Sequence, residues 1–449
     1  MKFFFNPFRR QKPGFIFSPF PLSSGFLSVI LLTNHAQAET HDLLSLFKAG
    51  QMTDPTLNSS RAQLAADQLT TDIALGKLLP QINARLEVTS TDDETGNGGS
   101  RSGEIILQQS LFDPVAWYDY RAAYAESAAA KTAFSDTQQQ WLLTLIRTYA
   151  DTLRAIAAQE AANIDTLAFT EALHHASQRH TAGLVVKTEV LEAQAALDNA
   201  YAAAHSAKAE LSLQLEILSR ISSQPVTAVT PFTPGLELQL PDEQQLNQWL
   251  MSDGINHPQI QQAQQEEIKM RLLNKSAAAA HFPKADFTAT VQHTQGYGNK
   301  HDEGTTTMLS AKITLPLLAG GSHYGEQQKT HWQAIAAGHQ QEESRRAVRF
   351  ELRRLLRQIR YDVMNINGRR QAIISATSAM NATRSAHRIG TRNMVDVLNA
   401  QRTLSAAEKE FANARSDYMT HLMELKYYAG ALDETDVALM NRWFSADEN

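Results

Sequence analysis

The chain has 449 residues, 43% of them hydrophobic, and a formal net charge of -6 from 41 basic and 47 acidic residues. That balance does not fit a nucleic-acid binder, which carries a net basic domain. There is no cysteine, which excludes disulfides, thiolate metal sites, thiol nucleophiles and a lipidated N-terminal cysteine.

The N-terminus reads as a secretory signal over 1–38. Arg9, Arg10 and Lys12 form a basic start, Phe26 to Leu32 a short apolar run, and Ala36-Gln37-Ala38 a small-x-small cleavage site. The apolar run is shorter than the about 20 residues of a membrane-spanning helix. The mature chain is expected to begin near Glu39, and no later segment is apolar enough to span a bilayer as a helix.

From Asp42 to Leu79 the spacing of apolar residues is helical, with Pro55 inside the run and Pro80 stopping it. The period then changes to two. Ile82, Ala84, Leu86 and Val88 alternate with Asn83, Arg85, Glu87 and Thr89; a polar, Gly-rich stretch from Asp92 to Ser102 reads as a loop; Ile105, Leu107 and Leu111 then alternate about Ile106, Gln108 and Ser110. This predicts a β-hairpin over 81–112. No proline falls between Pro114 and Pro225, so 115–222 is expected to be two long helices turning at Gly183. The helix from Val115 would reach roughly 100 Å, and helices that long pack as coiled coils or extended bundles. The first repeat therefore spans 39–222.

Pro225, Pro231, Pro234 and Pro241 mark an irregular connector over 223–244. The same plan then recurs over 245–432. Pro258 and Pro283 stand 203 residues after Pro55 and Pro80. A second hairpin is predicted over 285–317, with Phe287, Ala289 and Val291, then Leu309, Ala311, Ile313 and Leu315, on one face and a loop from Gly296 to Gly304. Long helices follow over 322–430, and 433–449 reads as a tail. At a shift of 207 residues Gly183, Val190, Leu191, Ala193, Gln194, Leu197, Ala200 and Ala207 each meet their own kind, and Glu189 meets Asp396. The chain is an internal duplication.

Each predicted strand has the length of a tilted transmembrane strand. Phe112, Trp117, Tyr118, Tyr324 and Trp332 stand where an interfacial aromatic girdle would lie, though they also suit helix packing. Four strands cannot close a barrel, and an open edge cannot face lipid. More than one chain must share it.

Chemistry is sparse. No Gly-rich phosphate loop, HExxH or Gly-x-Ser-x-Gly elbow occurs. His174, His175 and His180 read as solvated histidines rather than a metal site. Arg345, Arg349, Arg353, Arg357 and Arg360 form a basic stripe among interspersed acids, a solvated or salt-bridged face or else a lining of an internal passage. Asp396, just after a helix start, complements the helix dipole; repeated around an axis it becomes a ring of like charge.

Two motifs carry a resemblance. GTRxxVDVLxA from Gly390, followed by ANAR, and GLVxxTEVLEAQAxLD from Gly183 resemble the second and first tips of the TolC family of outer-membrane efflux proteins, a likeness running from about Asp42 to Leu432. It implies an α+β membrane protein: a homotrimeric channel-tunnel with a shared 12-stranded β-barrel, four strands per chain, continued by a long α-helical periplasmic barrel. It implies residence in the outer membrane of a Gram-negative bacterium, no catalysis and no cofactor. Partners would be outer-membrane lipid, a periplasmic membrane-fusion adaptor and an inner-membrane pump that supplies the energy. The cargo would be small toxic compounds or unfolded polypeptide. It implies a pore constriction at Asp396 and Asn399, where the second position of the family's acidic pair is an amide. It also implies gate contacts at Gln178, Glu189, His387 and Arg392, with Arg392 bonding Glu189 or a backbone carbonyl, and adaptor-docking tips at Gly183, Leu184, Val185, Gly390 and Thr391. A soluble periplasmic adaptor or coiled-coil scaffold is the competing reading, but it has no need of four alternating strands. A secreted hydrolase with a helical insertion lacks a nucleophile–base pair.

Overall fold

The structure, a computed structural model, describes residues 40–444 apart from 94–95, 234, 239, 253 and 299–302. The expected signal segment 1–38 lies outside the described residues. The first half runs through β1 (Thr40–His41), α1 (Leu43–Thr53), α2 (Pro55–Gly76), β2 (Gln81–Asp93), β3 (Gly96–Phe112), α3 (Pro114–Thr181) and α4 (Lys187–Ser222). The second runs through β4 (Ala228–Val229), α5 (Glu243–Met251), α6 (Pro258–Ala279), β5 (Lys284–Gly298), β6 (Glu303–Thr314), α7 (Ser322–Arg388), α8 (Met394–Tyr428) and α9 (Glu434–Asn441). Proline opens α2, α3 and α6 in the first turn, where its missing N–H would have no helical partner anyway. Asp54 and Asp113 cap two of these starts, accepting from Thr56 N at 2.8 Å and Ala116 N at 3.0 Å.

The two hairpins form one antiparallel sheet in the order β2-β3-β5-β6. Opposite residues in such a ladder share a face, so its register tests the alternation directly. Ile82 pairs with Leu107, Leu107 with Ala289 and Ala289 with Leu309; Ala84 pairs with Ile105 and Ile105 with Val291. One apolar face therefore runs across all four strands, and in the single chain it is open: Leu86 is 87% and Ile313 77% exposed. The other face is polar, with Arg85 3.6 Å from Glu104 across the β2–β3 ladder.

In the stretches expected as loops, Asp92–Ser102 and Gly296–Gly304, the described residues are strand. β2 pairs with β3 out to Asp93 and Gly96, and β3 with β5 out to Gly98 and Gly298. Glycine here serves close approach rather than a turn. A Cβ on Gly99 would sit 2.2 Å from Thr89 O and 2.4 Å from the Tyr297 hydroxyl, which itself donates to Thr89 O at 3.2 Å.

Below the sheet, α3 and α7 run 68 and 67 residues, roughly 100 Å each. Their offset to the returning helices is strict: α4 begins at Lys187 and α8 at Met394, 207 residues later. The largest core lies midway along them. Trp141, Leu145, Ile146 and Tyr149 of α3 meet Leu352, Leu355 and Ile359 of α7 and Tyr418, Met419 and Leu422 of α8, with Leu43, Leu46 and Phe47 of α1 against them. The connector joins this core through Val226, Val229 and Leu238; Tyr149 donates to Thr230 O at 2.7 Å, and β4 pairs in parallel with β1. The segment read as a tail after Leu432 instead carries α9, which buries Val437 and Met440, with Phe444 beyond it. Asn441 ties it to the start of the chain, accepting from Leu44 N at 3.2 Å and donating to Asp42 at 2.7 Å.

His257 caps α6 through Nδ1, which accepts from Gln259 N at 3.2 Å. It is fully buried against the rings of Tyr427 at 4.5 Å and Tyr428 at 5.4 Å. Burial pushes its pKa down from 6.5 to about 4. Between those values the unfolded chain takes up a proton that the folded chain refuses, so stability is lost as pH falls from 6.5 towards 4. The loss should reach about 3 kcal/mol per chain. His257→Asn, which keeps a capping acceptor without titrating, should flatten this part of the pH dependence in denaturant melts; an unchanged slope would show that another group sets it.

Candidate functional site

The two ends of the long hairpins, α3 to α4 and α7 to α8, close in the same way. Gly183 and Gly390 take the left-handed conformation, φ +73 and +81, which glycine reaches without strain. In the first turn Leu184 N donates to Arg179 O at 2.8 Å and Gly183 N to His180 O at 2.9 Å; in the second Thr391 N donates to Ala386 O and Gly390 N to His387 O, each at 3.0 Å. These paired bonds satisfy carbonyls that a helix end leaves free. Side chains add one bond to each turn: His180 Nδ1 lies 3.0 Å from Val185 O, and the Thr391 hydroxyl donates to Ala386 O at 3.0 Å. Gly183, Leu184, Gly390 and Thr391 are exposed and Val185 half-buried, so all five expected tip residues are gathered at the ends of the hairpins.

The helices leaving the turns start differently. Val186 gives α4 no side-chain cap. Asn393 gives α8 a capping box: Asn393 Oδ1 accepts from Asp396 N at 2.8 Å, and Asp396 Oδ2 accepts from Asn393 N at 3.3 Å. Asn393-x-x-Asp396 is legible in the sequence as this device, and sequence reasoning passed over it. Asp396 also faces Arg392, 3.6 Å away. In the first tip Glu189 lies 4.0 Å from Arg179. Within one chain, then, the expected Arg392–Glu189 contact is replaced by two local pairs. The reason is spacing: Arg392 stands four residues before Asp396, within reach along its own chain, whereas Glu189 belongs to the other hairpin. Pairs this exposed contribute about 0–1 kcal/mol.

The remaining expected residues are distributed as follows. Asn399 is exposed, three residues along α8 from Asp396 and on the same side. Gln178 Nε2 lies 3.0 Å from His174 Nε2 on its own helix. His387, at the end of α7, is half-buried with a buried Nε2 that has no hydrogen-bond partner. Within the basic stripe Arg353, Arg357 and Arg360 are exposed, and their neighbours pair along the helix, Arg346 with Glu342 at 2.8 Å and Arg354 with Glu351 at 2.7 Å. Among the described residues no group of three or more His, Asp or Glu side chains is placed to hold a metal ion.

Known proteins resemble this chain in sequence and fold. TolC of Vibrio cholerae is 26% identical over 437 residues, covering 93% of this chain and 97% of that protein. The alkaline protease secretion protein AprF of Pseudomonas aeruginosa is 23% identical over 348 residues, covering 77% of this chain and 72% of its own length. The crystal structure of the outer membrane protein VceC of Vibrio cholerae has the same fold, with a TM-score of 0.77 at 18% identity over 86% of this chain and 96% of that one. The outer membrane efflux protein family matches residues 51–222 and 254–431. Those two spans lie within the expected repeats 39–222 and 245–432, on either side of the expected connector; the chain belongs to the outer membrane efflux protein family.

Proposed function

We propose that three copies of this chain close a twelve-stranded barrel in the outer membrane and serve as the passive exit duct of a tripartite efflux or secretion system. The observation that carries this reading is the four-stranded sheet, whose apolar face crosses all four strands at Ile82, Leu107, Ala289 and Leu309 and whose outer strands, β2 and β6, have no second partner strand among the described residues. In lipid those free N–H and C=O groups must be paired, and further copies of the same sheet provide the pairing. The polar face then lines the lumen. The paired long helices continue the duct below the membrane, and their turns at Gly183 and Gly390 are the surface offered to an adaptor. Energy for transport comes from the inner-membrane partner. The likeness to AprF supports keeping polypeptide beside small compounds as cargo.

The constriction is assigned to Asp396 and Asn399, which share a side of α8 near its start. Three copies of Asp396 facing an axis form a ring that favours cations, but Arg392 at 3.6 Å and the bond from Asn393 N temper its charge. Asn399 adds none. The duct should therefore be only mildly cation-selective.

Light scattering in neutral detergent should give three chains per particle, and a detergent-free soluble monomer that keeps its β content would end the barrel reading. At the constriction, Asp396→Asn keeps the Asn393 bond to its N–H and should lower cation preference in single-channel recordings. Asn399→Asp should raise it, together with block by multivalent cations; selectivity untouched by both changes would leave Asp396 as a helix cap alone. At the tips, Gly183→Val with Gly390→Val forces a side chain into the left-handed region at about 1–3 kcal/mol each. A Cβ at either position meets nothing within 4 Å, so the strain stays local. The double variant should still trimerise but lose export, and normal export would show that adaptors dock elsewhere.

A further inference from the structure

Near the tips, α3, α7 and α8 border an open cavity of about 610 Å³, within the size range of small-molecule sites. Its wall is apolar where Met380, Met394 and Leu398 meet. Its rim is cationic. Arg179 comes from α3 and Arg384 and Arg388, one helical turn apart, from α7, with His175 and His387 beside them; Glu171 is the one carboxylate among the lining residues. Arg179 has Glu189 at 4.0 Å, whereas neither Arg384 nor Arg388 forms a salt bridge with a described residue. His387, which lines the cavity, has a buried Nε2 with no hydrogen-bond partner. A buried nitrogen without a partner costs free energy until something bonds it, and three guanidinium groups around one opening attract an anion.

The side of α8 that the cavity uses is also defined. Met394, Val397, Leu398 and Gln401 line it, and at 3.6 residues per turn they lie opposite Asp396 and Asn399. The cavity is thus separate from the constriction residues.

We propose that this cavity binds a small amphipathic organic anion, with an apolar body against Met380, Met394 and Leu398 and a sulfonate, carboxylate or phosphate head among Arg179, Arg384 and Arg388. Because α3 belongs to the first hairpin and α7 and α8 to the second, an occupant joins the two hairpins of one chain and holds the tip closed. That last step rests on reading these turns as the closing end of the duct; the binding itself does not.

Calorimetry on the purified trimer in neutral detergent, with naphthalene-2-sulfonate as probe, tests the site. About one probe per chain should bind, with inorganic sulfate and the uncharged naphthalene-2-methanol each at least tenfold weaker. Arg384→Gln with Arg388→Gln should weaken the probe at least tenfold. Ala168→Phe should do the same by filling the space while leaving every charge in place, with both variants checked as trimers by light scattering. No binding to the wild type, equal binding of the uncharged compound, or affinity unchanged in both variants would overturn the site while leaving the duct reading standing. In bilayers the probe should lower open-state conductance of the wild type and leave the double-Gln variant unaffected; binding with no change in conductance would overturn the link to closure.

Discussion

Unpaired backbone at the edges of a sheet is the constraint on which the rest of this structure depends. Within one chain β3 and β5 are paired on both sides, but β2 and β6 each have one free side. In water such an edge is a liability to be blunted; in a bilayer each unsatisfied group costs several kcal/mol. The apolar face makes the problem sharper, since Leu86 and Ile313 stand open in the single chain. Assembly and membrane insertion are therefore parts of one folding problem. The direct β3–β5 ladder, which joins the two repeats, leaves a single kind of seam, β6 to β2, for the assembly to make.

The helical part solves a different problem. Two helices of 68 and 67 residues must be held at a fixed relative height. The fold concentrates burial at one level, where α1, the connector and α9 all converge on the middle of α3, α7 and α8. Arg415 shows how tightly the connector is held: its guanidinium lies 4.2 Å from the Phe232 ring and 5.5 Å from the Phe411 ring, and burial lowers its pKa to about 10. At the same level Asp362 is buried on α7 and bonds His421 of α8 at 2.7 Å, raising the histidine's pKa against the opposing effect of its own burial.

Much of this was legible in the sequence because duplication doubles every signal. Proline spacing gave the helix starts, the two glycines gave the turns, and alternation gave the apolar face. The errors have physical causes. Gly99 reads as a loop residue because a sequence does not reveal that Tyr297 from another strand needs the space above it. The final helix was missed because α9 is short, and its burial depends on α1 almost 400 residues earlier. At the tips the glycines and Asp396 were found, but the local partners were not: Arg179 for Glu189 depends on how the turn folds back. The Asn393 cap needed only attention to the residue three places before the acid.

That cap makes the two tips unequal. The start of α8 has its first N–H groups answered by Asn393 and Asp396, while Val186 leaves the start of α4 without a side-chain acceptor. A side-chain cap contributes about 1 kcal/mol, roughly a factor of five in the equilibrium for fraying the first turn. Around a ring of three chains, firm and soft helix ends then alternate, six in all. Amide protons just after Val186 should exchange with solvent before those after Asn393, so the first motion at this end of the duct belongs to the hairpin that does not carry Asp396.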